Sequence, residues 1–182
     1  MPIFGALVGF FALSGAFTAA PAEASAPAAP VLPTYSVAMT GYNAVPAQTD
    51  ANPLVTASGA YSNPAVVAAR SQDMAAELPF GTIIKVDGPS SLQENCGYDV
   101  VGKTIGYRVI ADTMNKKFTD RVDVLFPTAA TRAQNRAVVL GVCEGVTVTV
   151  VGHVDITNPA NLPKTQADLA AFVAGAGDLA LK

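Results

Sequence analysis

Two aspartates are placed where their side chains could carry out acid–base chemistry. Asp112 ends the apolar run Tyr107 to Ala111, and Asp123 lies inside a second apolar run, Val122 to Phe126. Removing a carboxylate from water is costly unless a charge or a hydrogen bond compensates, so two of them beside strand-like runs need an explanation. Two carboxyl groups in unlike surroundings can divide acid–base work, because the one among apolar neighbours stays protonated.

The elements that must position this pair are short strands. The two apolar runs are joined by a polar loop over residues 114–119, and alternating or β-branched runs recur along the chain. About seven short strands and hardly any long helix predict a mainly β fold, a small barrel or a sandwich. The other predicted strands are Tyr35–Thr40, Pro64–Ala69, Phe80–Val86, Val138–Val142 and Val146–Val151; Ser71–Leu78 and Pro127–Asn135 are predicted short helices.

The first 34 residues differ in composition from the rest of the chain. Residues 1–24 contain a long uncharged apolar run followed by small residues, a pattern typical of a signal peptide or, if it is not cleaved, of a membrane anchor. A buried N-terminal helix is the alternative. Residues 25–34 are rich in Ala and Pro and are interpreted as a linker. We therefore expect an exported protein that is extracellular, in the cell wall or periplasmic.

The folded domain is predicted to span residues 35–152, followed by a C-terminal extension over residues 153–182. In that extension, residues 166–181 have the spacing of a weakly amphipathic helix. The chain has 182 residues, of which 51% are hydrophobic, which suits one domain with its own core plus appendages.

Charge and cysteine content restrict the possible functions. A net charge of −3 without a basic cluster argues against nucleic-acid binding, which depends on clustered Lys and Arg. Cys96 and Cys143 are the two cysteines, and in an exported chain they can form one disulfide; two unpaired buried thiols are the alternative. The single histidine, His153, has no ligand-like neighbours, so we expect no metal site and no cofactor.

A series of short motifs resembles the bacterial 3D-domain proteins, which are named for three aspartates. The motifs occur in the family's order, and together they cover roughly Tyr35 to Val151. They are Gly41-Tyr42-Asn43, Gln48-Thr49-Asp50, Thr56-Ala57-Ser58-Gly59, Val66-Val67-Ala68, Leu78-Pro79-Phe80-Gly81-Thr82, Ala111-Asp112-Thr113-Met114-Asn115 and Arg121-Val122-Asp123. The family is similar to the barrel domain of A-type membrane-bound lytic transglycosylases and to stationary-phase muralytic enzymes.

This resemblance implies a six-stranded double-psi β-barrel that cleaves the β-1,4 bonds of peptidoglycan glycan strands. Asp123 takes the acid and base role because Val122 and Val124 flank it, and Asp112 takes a supporting electrostatic role. The expected partner is peptidoglycan, and the expected state is a monomer. The residues expected to contact substrate are Tyr42, Asp50, Thr56, Ser58, Gly59 and Arg121, although Tyr42 is equally suited to the core.

The chain departs from the family pattern at two places. The loop between the two aspartates is Met114 to Thr119, where relatives usually have Gly-Gly-Ala-Ile-Lys-Gly. The family's third aspartate follows the Val-Ala strand, where this chain has Ala69 and Arg70 with a displaced Asp73; Asp50 is the candidate replacement. Two alternatives follow: a glycoside hydrolase using the same pair, and a barrel that binds wall polysaccharide without cleaving it.

Overall fold

Six strands form a closed barrel in the order β1-β5-β2-β4-β3-β6 in a computed structural model that describes residues 31–180. The prediction of a mainly β fold with a six-stranded barrel and short helices is confirmed. The strands are β1 (Thr34–Asn43), β2 (Val67–Arg70), β3 (Thr82–Asp87), β4 (Arg108–Thr113), β5 (Arg121–Phe126) and β6 (Cys143–His153).

The barrel mixes parallel and antiparallel pairing. β1 pairs with β5 and β2 with β4 in parallel, while the other four pairs are antiparallel. Parallel neighbours cannot be joined by tight hairpins, so long connections are required, and residues 44–66 between β1 and β2 form one of them. That connection forms one wall of the candidate site.

Of the two predicted short helices, the structure contains a helix in one segment and no helix in the other. A 3₁₀ helix over Gln72–Ala75 lies inside the predicted helical segment 71–78. By contrast, residues 127–135 are turns, and the predicted strand Val138–Val142 is wrong, because α2 occupies Arg136–Leu140. The Asn135 side chain accepts a hydrogen bond from Ala137 N and caps this helix, which buries Ala137 and Leu140 on one side.

The remaining helices are short apart from the last. They are α1 (Tyr98–Val101) and α3 (Gln166–Ala180), with 3₁₀ turns at Gly102–Thr104 and Pro159–Asn161. The C-terminal helix predicted over residues 166–181 is thereby confirmed. No helix within residues 31–180 combines the length and the apolar character needed to cross a membrane.

Alternation along the strands separates two apolar clusters. The first draws side chains from all six strands, as the interior of a closed barrel must; it includes Val122 and Val124 of β5. The second lies on the opposite face of β2, β4 and β5, and it includes Ala69 and Leu125. Because successive side chains point to opposite faces, Asp123 lies on the second face, outside the barrel interior.

Residues beyond β6 cover part of that second face. Leu162 and Leu169 are buried in the second cluster. The Gln166 side chain accepts from Tyr107 N and donates to the carbonyls of Tyr107 and Ala65, so the start of α3 is hydrogen-bonded to the barrel. The C-terminal segment therefore contributes to the core that supports the candidate site.

Cys96 and Cys143 form the predicted disulfide, with their Cα atoms 4.7 Å apart. The bond joins the loop before α1 to the first residue of β6. The predicted export segment 1–24 and residues 25–30 of the linker lie outside the described residues, as do the side chains after residue 175.

Candidate active site

Three neighbouring strands place both aspartates in one row. β2 lies between β4 and β5, and Ala69 of β2 is the register partner of Asp112 on one side and of Asp123 on the other. Register partners in adjacent strands point to the same face, so the two carboxyl groups flank the small Ala69 side chain. Two strand spacings separate their backbones, roughly 10 Å. Thr40 of β1 extends the row beyond Asp123.

An irregularity in the pairing of β2 with β4 turns Asp112 into this row. Ala68 pairs with Ile110, but Ala69 pairs with Asp112, so Ala111 is an extra residue in β4. Such a bulge changes the face on which the next side chain, Asp112, lies. Without the bulge, Ala111 would be the register partner of Ala69. The Ala111 carbonyl accepts a hydrogen bond from Ser58 N, at 3.1 Å, which provides a partner at the irregular position.

A groove of about 540 Å³ lies over the row. Ala69 and the two aspartates contribute to its lining from the strands. One wall comes from the β1–β2 connection, and its lining residues are Gln48, Thr49, Asp50, Asn52, Val55, Thr56 and Ala57. The other wall comes from the last residue of β4, Thr113, and from the loop that follows, with Met114, Asn115 and Phe118. A groove open to solvent with carboxyl groups on its strand side can admit a polymer and act on it.

Asp123 is held in conditions that favour its protonated form. Its Oδ1 atom is buried and has no hydrogen-bond partner. Burial raises the pKa of the Asp123 carboxyl from 3.8 to about 7; the nearby Asp112 also raises this pKa, while Thr40 and Arg121 lower it. A carboxyl group with this pKa can donate a proton near neutral pH and take one back afterwards.

Asp112 is held differently, by three donors. Its Oδ1 accepts from the backbone N–H groups of Ala57 and Thr113, each at 2.9 Å, and its Oδ2 accepts from the Tyr42 hydroxyl at 2.9 Å. All three bonds use the carboxyl group as an acceptor, which suits a group that supplies negative charge from a fixed position. The pair thus consists of one carboxyl with a buried oxygen that has no partner and one carboxyl that accepts three hydrogen bonds.

Tyr42 is a buried positioning residue, with 7% of its surface exposed. A ring in this setting packs in the second apolar cluster, and its hydroxyl reaches Asp112. Burial, followed by the Asp112 charge, raises the pKa of Tyr42 well above its usual value, so the hydroxyl remains a donor. Tyr42 also contributes to the lining of the groove, so its ring packs in the core while part of the residue faces the space above Asp112.

The other predicted substrate contacts divide into two groups. Asp50 and Thr56 line the groove, Asp50 being exposed and Thr56 buried. Ser58 and Gly59 do not line it; they form a turn in which Gly59 has a φ of 84° and the Ser58 hydroxyl lies 3.0 Å from that of Thr56. Their observed contribution is to shape the wall, since a positive φ favours glycine.

Arg121 also lies beside the groove rather than on its lining. Its Cζ atom is 5.1 Å from the centroid of the Phe118 ring, and Phe118 does line the groove. Sequence reasoning missed Phe118, together with Gln48, Asn52, Thr113 and Asn115. Phe118 could have been predicted as a groove residue from its position, because it is an aromatic residue among polar neighbours in the loop between the two aspartates.

The displaced Asp73 does not contribute to the lining. Its Oδ2 accepts from Asp120 N at 2.9 Å, so it fixes the turn before β5. Asp50 is the additional aspartate that lines the groove, where its Oδ1 accepts from Asn52 N. His153 is exposed at the end of β6. Among residues 31–180, no three His, Cys, Asp or Glu side chains are grouped closely enough to hold a metal ion.

Comparisons with protein-family models, with curated proteins and with solved structures gave no match, so the argument for function depends on the geometry of the site and on the motif series.

Proposed function

We propose that the protein is a peptidoglycan lytic transglycosylase that cleaves the β-1,4 glycosidic bond with Asp123 as acid and base. The observation that carries the proposal is the pairing, across one groove, of a carboxyl of raised pKa that has a buried oxygen without a hydrogen-bond partner with a carboxyl that accepts three hydrogen bonds. In glycosidic cleavage, the different environments of two neighbouring carboxyl groups determine which one acts as the acid and which one as the electrostatic stabiliser.

The reaction follows from these two environments. Protonated Asp123 donates its proton to the glycosidic oxygen as the bond to the anomeric carbon breaks. The 6-hydroxyl of the same sugar then attacks that carbon, and the Asp123 carboxylate accepts the hydroxyl proton, which closes a 1,6-anhydro ring and restores the acid. Asp112, held by Tyr42 and two backbone N–H groups, stabilises the positive charge that develops on the sugar.

The finer fold assignment belongs to the same proposal. Two parallel strand pairs inside a closed six-stranded barrel support the double-psi type that the motif series implies. The Cys96–Cys143 disulfide supports an oxidising compartment, in agreement with export to the cell wall or periplasm. Peptidoglycan is the proposed partner, and the protein acts as a monomer.

The test is the product formed from purified sacculi. Incubation with the full chain should release muropeptides ending in a 1,6-anhydro ring, detected by mass spectrometry, and Asp123→Asn should release none. Asp99→Asn is the matched control, because Asp99 is exposed and lies outside the groove. Reducing-end products would instead identify a hydrolase, and an absence of products from the wild-type protein would contradict both enzymes.

A non-catalytic wall-binding barrel is the second candidate, and one observation favours it. The position after the Val-Ala strand holds Ala69, and the nearest following aspartate, Asp73, is used in a turn outside the groove. Binding of the chain to sacculi without release of fragments would establish this candidate.

A further inference from the structure

Two cations lie over one aromatic ring at the rim of the groove. Lys117 Nζ is 4.9 Å and Arg121 Cζ is 5.1 Å from the centroid of the Phe118 ring. A cation stacked on a ring face keeps N–H groups free to donate to a ligand, because the ring attracts the positive charge but does not accept all of the cation's hydrogen bonds. The Phe118 rim, defined by these three residues, is therefore a positive edge on a groove that contains Asp50, Asp112 and Asp123.

Neither cation forms an ion pair with an acidic side chain within the described part of the chain, although the Arg121 charge lies close enough to Asp123 to lower its pKa. The ion pair between Lys85 and Asp87 is the only one among residues 31–180, and Arg121 Nε is buried without an acceptor. The chain as a whole carries a net charge of −3, so these cations are not part of a generally basic surface. Their charge at the groove is a local feature that a ligand anion would neutralise.

Hydrogen bonds hold the rim in place. Asn115 accepts from Lys117 N through its side chain and from Phe118 N through its carbonyl, at 3.1 and 3.0 Å. Farther along the loop, Asp120 N donates to Asp73, and the Asp120 carbonyl accepts from Ala38 N. A loop fixed at both ends presents its cations with less ordering entropy to lose on binding.

On the basis of the proposed function, we propose that the Phe118 rim is a subsite for a carboxylate of the stem peptide carried by the glycan strand. In a peptide-substituted strand the lactyl carboxyl of each acetylmuramic residue is tied up in the amide bond to its peptide, so the anionic groups of such a strand lie on its peptide substituents. A strand lying over Asp112 and Asp123 presents those substituents at the rim. The enzyme then prefers peptide-substituted strands to strands from which the peptides have been removed.

The test measures binding and uses soluble strands of equal length with and without their peptides, the peptide-free strands having their lactyl carboxyls converted to neutral carboxamides. The full chain carrying Asp123→Asn is used so that no turnover occurs. Substituted strands should bind about three- to tenfold more tightly, the range expected for two partly exposed cations, and the difference should shrink at high salt. Lys117→Gln on this background should remove most of the difference.

Lys103→Gln is the matched control, since it also removes one exposed positive charge but lies outside the groove. Equal binding of the two kinds of strand, or equal effects of the two lysine variants, would overturn the subsite. Tighter binding of peptide-free strands that carry a phosphodiester polymer would reassign it to phosphate and overturn the peptide proposal. With the wild-type protein in a separate assay, release of 1,6-anhydro products with equal kcat/KM from both strands would overturn the subsite while leaving the proposed function intact.

Discussion

At the scale of single residues, the two carboxyl groups differ because their hydrogen-bond partners differ. Asp112 accepts three hydrogen bonds, whereas Asp123 has a buried oxygen with none. The apolar neighbours Val122 and Val124 suggested a protonated Asp123 from the sequence alone, yet both point into the barrel interior. The burial that raises the pKa of Asp123 comes instead from the face shared with Ala69 and Tyr42, which only the folded chain brings together.

Activity should fall as the pH rises through the Asp123 pKa. The acid must start protonated, and its pKa is about 7, so the rate of wild-type cleavage should decrease tenfold per pH unit well above that value. The measurement is the pH profile of kcat/KM on soluble glycan strands. A flat profile from pH 6 to 9 would contradict the acid role.

The same pKa makes a prediction for stability. The pKa of Asp123 is about 7 in the folded state and 3.8 in the unfolded state. The contribution of Asp123 to the free energy of unfolding of the wild-type protein is therefore fully present below about pH 4 and is lost as the pH rises to about 7. A shift of about 3 units corresponds to at most about 4 kcal/mol. Asp123→Asn should therefore gain stability relative to wild type between pH 4 and 7, with no further gain above about pH 7.

Denaturant titrations of both proteins across this pH range measure the difference. Asp99→Asn controls for the loss of an exposed carboxylate, and its stability relative to wild type should vary little with pH. A constant difference between Asp123→Asn and wild type would show that Asp123 is ionised throughout.

Tyr42→Phe tests the support of Asp112. Loss of the hydroxyl leaves the two backbone donors, so we expect kcat to fall by about ten- to a hundredfold with KM nearly unchanged, given about 1.5–3 kcal/mol for a hydrogen bond to a charged group. The Asp112 charge is then less compensated and should raise the pKa of Asp123 further. The pH above which activity falls should therefore move upward. Tyr98→Phe, which loses a hydrogen bond to Val86 O, is the control and should leave the pH profile unchanged.

At the scale of elements, local patterns identified most strands but failed where a helix and a strand compete for the same residues. The run Val138 to Val142 has strand-like composition, yet Asn135 caps a helix over Arg136–Leu140. That helix is favoured because Ala137 and Leu140 fit the barrel core on one side, a tertiary contact that β-branched composition does not reveal. The sequence analysis ended a helix at Asn135, whereas the Asn135 side chain caps the start of one.

The disulfide connects two elements that are distant in sequence, and its removal should be costly. The bond closes a loop with a sequence separation of 47 residues, for which chain entropy predicts about 4 kcal/mol of stabilisation. A Cys96→Ala/Cys143→Ala variant should lose stability of this order in denaturant titration. Wild-type protein should take up no alkylating label until it is unfolded and reduced, and label uptake by the native protein would contradict the bond.

At the scale of the whole molecule, the C-terminal segment and the barrel share one core. Leu169 is fully buried in the cluster beneath the candidate site, and Gln166 makes three hydrogen bonds to the barrel. This arrangement couples the stability of the site face to a helix that follows the barrel in sequence.

Leu169→Ala should therefore lower the free energy of unfolding by about 2–5 kcal/mol, as expected for a buried leucine. Phe172→Ala in the same helix is the matched control, because Phe172 is 38% exposed, and it should cost much less. Thermal stability of Leu169→Ala equal to that of the wild-type protein would show that α3 is dispensable for the fold.

Residue types and local alternation were sufficient to predict a mainly β chain and to allow a Cys96–Cys143 disulfide, and the motif series singled out Asp112 and Asp123, because each of these depends on composition or on neighbours in the chain. The tertiary structure alone decided that the aspartates share a row. Ala69 lies between them only because β2 inserts between β4 and β5, and Asp112 reaches that face only because Ala111 bulges. Strand order and register arise from packing between distant segments, and a one-residue shift in pairing moves a side chain to the opposite face.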